Sequence, residues 1–221
     1  TYVGHPLAGV IPQEPDRAAA RRAIGLADHD EVVAILPGSR ASEIRYLADV
    51  FFQAAREIQR ARPAVRFVVP AVPALRAPIE DAARRAGLGE ALTLLAGRSH
   101  EALAACDVTL IASGTATLEA ALFKRPMVIG YRMNALSWQI MKRQALQPWV
   151  GLPNILLREM AVPELLQHDA TPARLAGSVL DWLDAPDRMA AVQQKFSALH
   201  HQLRRDTATL ATDAIAQVLH A

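Results

Sequence analysis

Two short stretches of this chain hold residue types suited to binding an anion. Residues 113–119 read Ser-Gly-Thr-Ala-Thr-Leu-Glu, and residues 36–40 read Leu-Pro-Gly-Ser-Arg. Each follows an apolar run of strand character and opens a helical pattern, so each is a strand-to-helix turn, the place where open α/β sheets hold their ligands. In the first, Gly114 lets the backbone approach an anion, and Ser113 and Thr115 offer hydroxyls. Thr115 and Ala116 begin a helix whose first N–H groups point outward at the positive end of its dipole. In the second, Gly38 again permits close approach, Ser39 can donate to an oxygen, and Arg40 supplies a forked cation for paired hydrogen bonds to phosphate. A cation at a helix start gains nothing from the dipole, so Arg40 is oddly placed unless an anion joins it. Together the turns describe a seat for a nucleotide diphosphate. Taken alone, the first is equally an ordinary N-capped helix.

Glu119 falls four residues after Thr115, on the same side of the helix, and makes no capping box with Ser113 or Thr117. A carboxylate there can accept two hydrogen bonds from the vicinal hydroxyls of a ribose; the plainer alternative is dipole stabilisation of about 0.3–1 kcal/mol. Gly130-Tyr131-Arg132 and Leu152-Pro153-Asn154 also set polar groups beyond apolar runs. On their own these pairs are as readily turn chemistry.

Other patterns carry less. Asp28-His29-Asp30 mimics an acidic metal-binding triplet but sits between a helical pattern and a strand, as a solvated turn would. The seven histidines lack ligand spacing, so no metal site and no cofactor is expected. Cys106 precedes an apolar strand and reads as a small core residue. No Walker loop, H-E-x-x-H or G-x-S-x-G motif occurs.

The elements that must position these residues alternate between strand and helix for the first two thirds of the chain, the signature of a parallel sheet. Strands are expected at residues 31–36, 65–70, 91–95, 107–111 and 126–130, with room for a sixth. Helices are expected at residues 42–60, where Ile44, Leu47, Phe51, Ala55 and Ile58 share a face, and at 73–86, ended by Gly87. From residue 171 the pattern is helical only, with Met189, Val192, Phe196, Leu199 and Leu203 on one face. The expected fold is α/β: a Rossmann-like parallel sheet with helices on both faces and C-terminal helices, in one domain over residues 1–221.

Of the 221 residues, 52% are hydrophobic and 21% charged, enough apolar material for a packed core. A net charge of +2, with basic and acidic residues interspersed, argues against a nucleic-acid partner. No apolar run is long enough to span a bilayer, so a cytoplasmic location is expected. Residues 131–149 set Met133, Trp138, Ile140, Met141 and Trp149 beside Arg132, Lys142 and Arg143, an apolar surface edged with cations that suits a lipid substrate or a membrane surface on the cytoplasmic side; the plainer alternative is an amphipathic helix packed in the core with its Lys and Arg reaching out to water.

In combination, the motifs at 36–40, 112–119, 130–132 and 152–154, with Glu164-Leu165-Leu166-Gln167, closely resemble the lipid-A-disaccharide synthase family. The opening residues 1–12 look like that family's crossing between domains, and the likeness continues through the C-terminal helices. The resemblance implies one half of a GT-B glycosyltransferase, the C-terminal donor-binding half, with an acceptor domain preceding it. The implied reaction joins UDP-2,3-diacylglucosamine to 2,3-diacylglucosamine 1-phosphate with inversion, giving lipid A disaccharide and UDP. It places the general base in the other domain, assigns Ser39, Arg40 and residues 113–116 to the diphosphate and Glu119 to the ribose, and sets Asn154 and Gln167 near the donor sugar. Tyr131 and Arg132 would line the same crevice. Another UDP-sugar transferase or epimerase of this architecture, and a non-catalytic nucleotide-binding module, are the alternatives.

Overall fold

The computed structural model describes residues 3–134, 138–139 and 147–219. Six strands, β1 (Val32–Leu36), β2 (Arg66–Ala71), β3 (Leu92–Ala96), β4 (Val108–Ala112), β5 (Met127–Tyr131) and β6 (Glu164–Leu166), form one sheet. Their order is β3-β2-β1-β4-β5-β6, and every pairing is parallel. β1 and β4 are buried at all five positions, which explains their unbroken apolar runs: helices cover both faces and no side chain faces water.

The helices among the described residues are α1 (Pro6–Val10), α2 (Arg17–Ala23), α3 (Ala41–Ala61), α4 (Arg76–Ala86), α5 (Ser99–Ala105), α6 (Thr115–Leu122), α7 (Leu152–Leu157), α8 (Pro172–Leu183), α9 (Pro186–Leu203) and α10 (Thr207–Leu219). α3 packs against α4 and α8, while α5 meets α2 and α6, and α6 meets α9. The expected face of α3 is the buried one, from Ile44 through Phe51 to Ile58. Gly130 in β5 makes that packing possible, because a Cβ there would lie 2.5 Å from the Phe51 ring. On α9, Val192, Phe196, Leu199 and Leu203 are buried as their spacing predicts. Trp182 is buried with its indole N–H satisfied by the Met127 carbonyl at 3.1 Å.

Each of the five expected strands starts one residue before the observed one, at the residue that leads into the ladder. Asp107 shows why: its N–H and its carboxylate both bond Val32, so it ties the strand start without being part of it. Gly87 adopts the left-handed conformation that ends α4, as expected, with φ +67°. The segment around Asp28-His29-Asp30 is indeed a turn, but one wrapped around a cation. Arg21 is fully buried and donates to the carbonyls of Ala27, Asp28, Asp30 and Ala105 and to the Asp107 carboxylate.

The topology decides where a ligand can sit. β1 connects through α3 to β2 on one side, and β4 through α6 to β5 on the other. The chain direction across the sheet therefore reverses between β1 and β4, and a crevice opens at their carboxyl ends.

Candidate functional site

A cavity of about 400 Å³ lies in that crevice. The turn after β1 contributes Gly38, Ser39 and Arg40, and the turn after β4 contributes Ser113, Gly114, Thr115, Ala116 and Glu119. Eight residues expected from sequence thus share one concavity. Pro70 near the end of β2 and Val72 just after it, with Ser99 at the start of α5, close it.

The two helix ends differ in one respect the sequence did not reveal. At α3 the chain supplies its own anion. The Glu43 carboxylate accepts from the Ser39 N–H at 2.8 Å and the Arg40 N–H at 3.2 Å, and its other oxygen pairs with the Arg40 guanidinium at 3.0 Å. Gly38, at φ +130°, allows this fold-back, since a Cβ there would lie 2.5 Å from Glu43. The N–H groups of Ser39 and Arg40, which lead into α3, are therefore engaged. What this junction offers a ligand is the Arg40 side chain, 79% exposed at the rim. An exposed ion pair contributes about 0–1 kcal/mol, so a phosphate can take Arg40 from Glu43 at small cost.

At α6 the N-terminus is open. Gly114 occupies the cap position with φ +152° and ψ −168°, and no side chain caps the helix. An added Cβ on Gly114 would meet nothing within 4 Å, so the backbone faces open space. The capped-helix alternative is thus not what forms here: Ser113 donates its hydroxyl to the Val150 carbonyl at 3.0 Å, and Thr117 donates to Gly114 at 2.7 Å. Thr115 is exposed and Ala116 half-buried at the mouth. One turn further along, Glu119 presents a carboxylate that is 21% exposed, with Oε2 3.4 Å from His100 Nε2.

Four expected residues do not line the cavity. Asn154 is fully buried in α7; it donates to the Val162 carbonyl at 2.9 Å and to Glu164 at 2.8 Å, and accepts from the Val162 N–H at 3.0 Å. Glu164 in turn accepts from the N–H groups of Val150 and Gly151, both at 2.9 Å. Arg132 donates to the Gln167 carbonyl at 3.2 Å. With its amide turned to satisfy both partners, Gln167 accepts from the Met133 N–H at 3.2 Å and donates to the Met133 carbonyl at 3.1 Å. Tyr131, half-buried, ends β5 beside Leu166. Tyr131, Arg132 and Gln167 sit at the carboxyl ends of β5 and β6, the edge of the sheet on which the cavity opens, while Asn154 braces Val162 and Glu164 at the amino end of β6. Of the apolar and basic segment at 131–149, residues 135–137 and 140–146, which include Ile140, Met141, Lys142 and Arg143, lie outside the described residues.

Burial pushes the Cys106 thiol up to about 12, which suits a core residue rather than a nucleophile. Among the described residues no group of three or more His, Cys, Asp or Glu is placed to hold a metal ion. Sequence reasoning missed Glu43, Ser99 and His100. A Glu three residues into a helix is a capping-box signal, but the cap residue here is Arg40 rather than Ser or Thr, which hid it.

A six-stranded doubly wound parallel sheet with a cavity at its switch point is a Rossmann-like fold, and solved glycosyltransferase structures share it. Sucrose-phosphate synthase from Thermosynechococcus elongatus superposes with a TM-score of 0.64 at 17% identity, covering 98% of this chain and 51% of that one. The C-terminal domain of a group 1 glycosyl transferase from Francisella tularensis superposes with a TM-score of 0.61 at 13% identity, covering 90% of this chain and 97% of that domain.

Sequence narrows the class to a family. The family model described as lipid-A-disaccharide synthetase matches residues 1–219. A lipid-A-disaccharide synthase of Albidiferax ferrireducens is 68% identical over 99% of this chain and 57% of its own length, and that of Verminephrobacter eiseniae is 61% identical with the same coverage. The chain belongs to the lipid-A-disaccharide synthase family, and it spans a little over half the length of these relatives. No helix among the described residues is long and apolar enough to cross a membrane.

Proposed function

We propose that this chain is the donor-binding half of a hexosyltransferase that holds UDP-2,3-diacylglucosamine and passes its sugar to 2,3-diacylglucosamine 1-phosphate with inversion. The acceptor hydroxyl oxygen bonds the anomeric carbon from the face opposite UDP. The bond from that carbon to the diphosphate breaks, UDP leaves with the electron pair, and the hydroxyl proton passes to a base in the part of the protein outside these 221 residues.

The observation that carries the reading is that Arg40 and the uncapped start of α6 face one cavity at the switch point, with Glu119 one helical turn beyond. In this reading the N–H groups of Thr115 and Ala116 and the Arg40 fork hold the diphosphate, and Ser39 donates its hydroxyl beside them. Glu119 accepts from the ribose diol. As negative charge grows on the departing UDP, each charge-assisted hydrogen bond contributes about 1.5–3 kcal/mol, so these groups can stabilise the leaving group without a metal ion. Asn154, Tyr131, Arg132 and Gln167 act from behind. They hold the turns at the ends of β5 and β6, over which the donor sugar would lie.

Calorimetric titration tests the reading: UDP should bind with the same affinity in EDTA and in magnesium, and the chain alone should form no disaccharide. Absence of UDP binding, or turnover by this chain alone, contradicts it. We further propose that residues 131–149 rest against the cytoplasmic face of the membrane, supported by their apolar and basic composition and the acylated substrates. In a liposome-flotation assay Trp138→Ser should float less than the parent; equal flotation contradicts membrane contact.

A further inference from the structure

Glu119 can serve the ribose only if its carboxylate is held toward the cavity, and nothing on its own helix does this. The group beside it comes from α5. His100 places Nε2 3.4 Å from Glu119 Oε2, at ion-pair rather than tight hydrogen-bond range. Its ring is fixed by a second contact: the imidazole and the Phe123 ring have centroids 5.2 Å apart, tilted by 58°. Phe123 is 3% exposed and follows Glu119 by one helical turn, so the imidazole leans on a buried ring while its edge reaches the carboxylate. The neighbouring Ser99 lines the cavity, which places the start of α5 at the wall where a nucleoside would lie.

We propose that His100 is a positioning residue that orients Glu119 toward the ribose and thereby sets the preference for ribonucleotide over deoxyribonucleotide ligands. The inference rests on the nucleotide reading of the cavity. A carboxylate has two oxygens and about four acceptor sites. With the imidazole edge beside one oxygen, the plane of the group is set and the remaining acceptors are presented in one direction. Two vicinal hydroxyls need that direction, because two hydrogen bonds to one carboxylate demand a defined approach. Without His100 the carboxylate swings on three side-chain torsions, and the diol must order it at the moment of binding.

The test uses the chain as it stands, with UDP and 2′,3′-dideoxyuridine diphosphate as probes and calorimetry as readout. The parent should prefer UDP by at least about tenfold, the value of one charge-assisted hydrogen bond. His100→Ala should shrink that preference severalfold by weakening UDP and leaving the dideoxy compound unchanged, and His100→Gln, whose amide can still donate, should restore part of it. Should His100→Ala weaken both ligands equally, or neither, while Glu119→Ala abolishes the preference, the role of His100 is overturned and the nucleotide site stands. If the parent binds neither compound, both the nucleotide site and this inference fall.

Discussion

Asn154 Nδ2 lies 2.8 Å from Glu164 Oε1, and this bond joins a fully buried amide to the carboxylate that holds the backbone ahead of α7. Glu164 holds the backbone of Val150 and Gly151, and Val150 holds the hydroxyl of Ser113 at the start of the open helix end. A residue carried from family resemblance as a sugar neighbour therefore reaches the site through three relays.

Replacing Asn154 by Ala should cost stability before it costs binding. The change leaves the Val162 N–H and carbonyl and one Glu164 oxygen without their partner, a loss of about 2–4 kcal/mol in urea denaturation. UDP affinity should fall only severalfold. A variant as stable as the parent would mean that water substitutes for the amide.

Arg40→Ala should weaken UDP by about tenfold or more, whereas Arg98→Ala should change it little. Arg98 pairs with Glu101 at 3.1 Å and donates to the Ala23 carbonyl at 3.1 Å, and it does not line the cavity. Equal losses in titrations of both variants would show that general positive charge, and not the Arg40 fork, attracts the ligand.

Gly130→Ala should destabilise by about 1–3 kcal/mol, because the new methyl would overlap the Phe51 ring. Phe51→Leu on that background should recover part of the loss, since the two sites share one contact and their effects do not add. Chemical denaturation of the single and double variants reads this directly; strict additivity would place the strain elsewhere.

Stability should rise with pH around Lys124. Burial, then the charge of Arg125, lowers the Lys124 ammonium to about 8 from 10.5, so between those values the unfolded chain binds more protons than the folded one. Lys124 Nζ lies 2.7 Å from His200 Nδ1, and burial lowers His200 below its ordinary 6.5. The two bases act in the same direction in separate windows, His200 up to 6.5 and Lys124 from about 8 to 10.5. Thermal melts of Lys124→Met should show a flatter rise from pH 8 to 10 than the parent. A parallel rise in both would assign the effect to other groups.

Much of this architecture could be read from residue order because its signals are local. The apolar runs at β1 and β4 are continuous since both faces are covered, and the glycines at 38 and 114 stand where the backbone needs positive φ. What escaped was set by contacts distant in the chain. β6 is three residues long and becomes a strand only by pairing with β5. Arg21 looks like a surface residue until five acceptors from 27–30 and 105–107 close around it. Glu43 carries no plain signal in the order of residues, yet its carboxylate takes the N–H groups of Ser39 and Arg40 ahead of α3, while the start of α6 has no side-chain cap. Asn154 stands in a motif that signals the family, but its burial depends on a bond to Glu164, ten residues on.

The central claim is that two loop–helix junctions jointly hold the diphosphate of one nucleotide. A crystal structure of the chain with UDP tests it most directly. The pyrophosphate should lie about 3 Å from both the Arg40 guanidinium and the N–H groups of Thr115 or Ala116. Pyrophosphate density touching neither junction, for instance in the groove between Arg84 and Leu92 at the β3 edge, would contradict it.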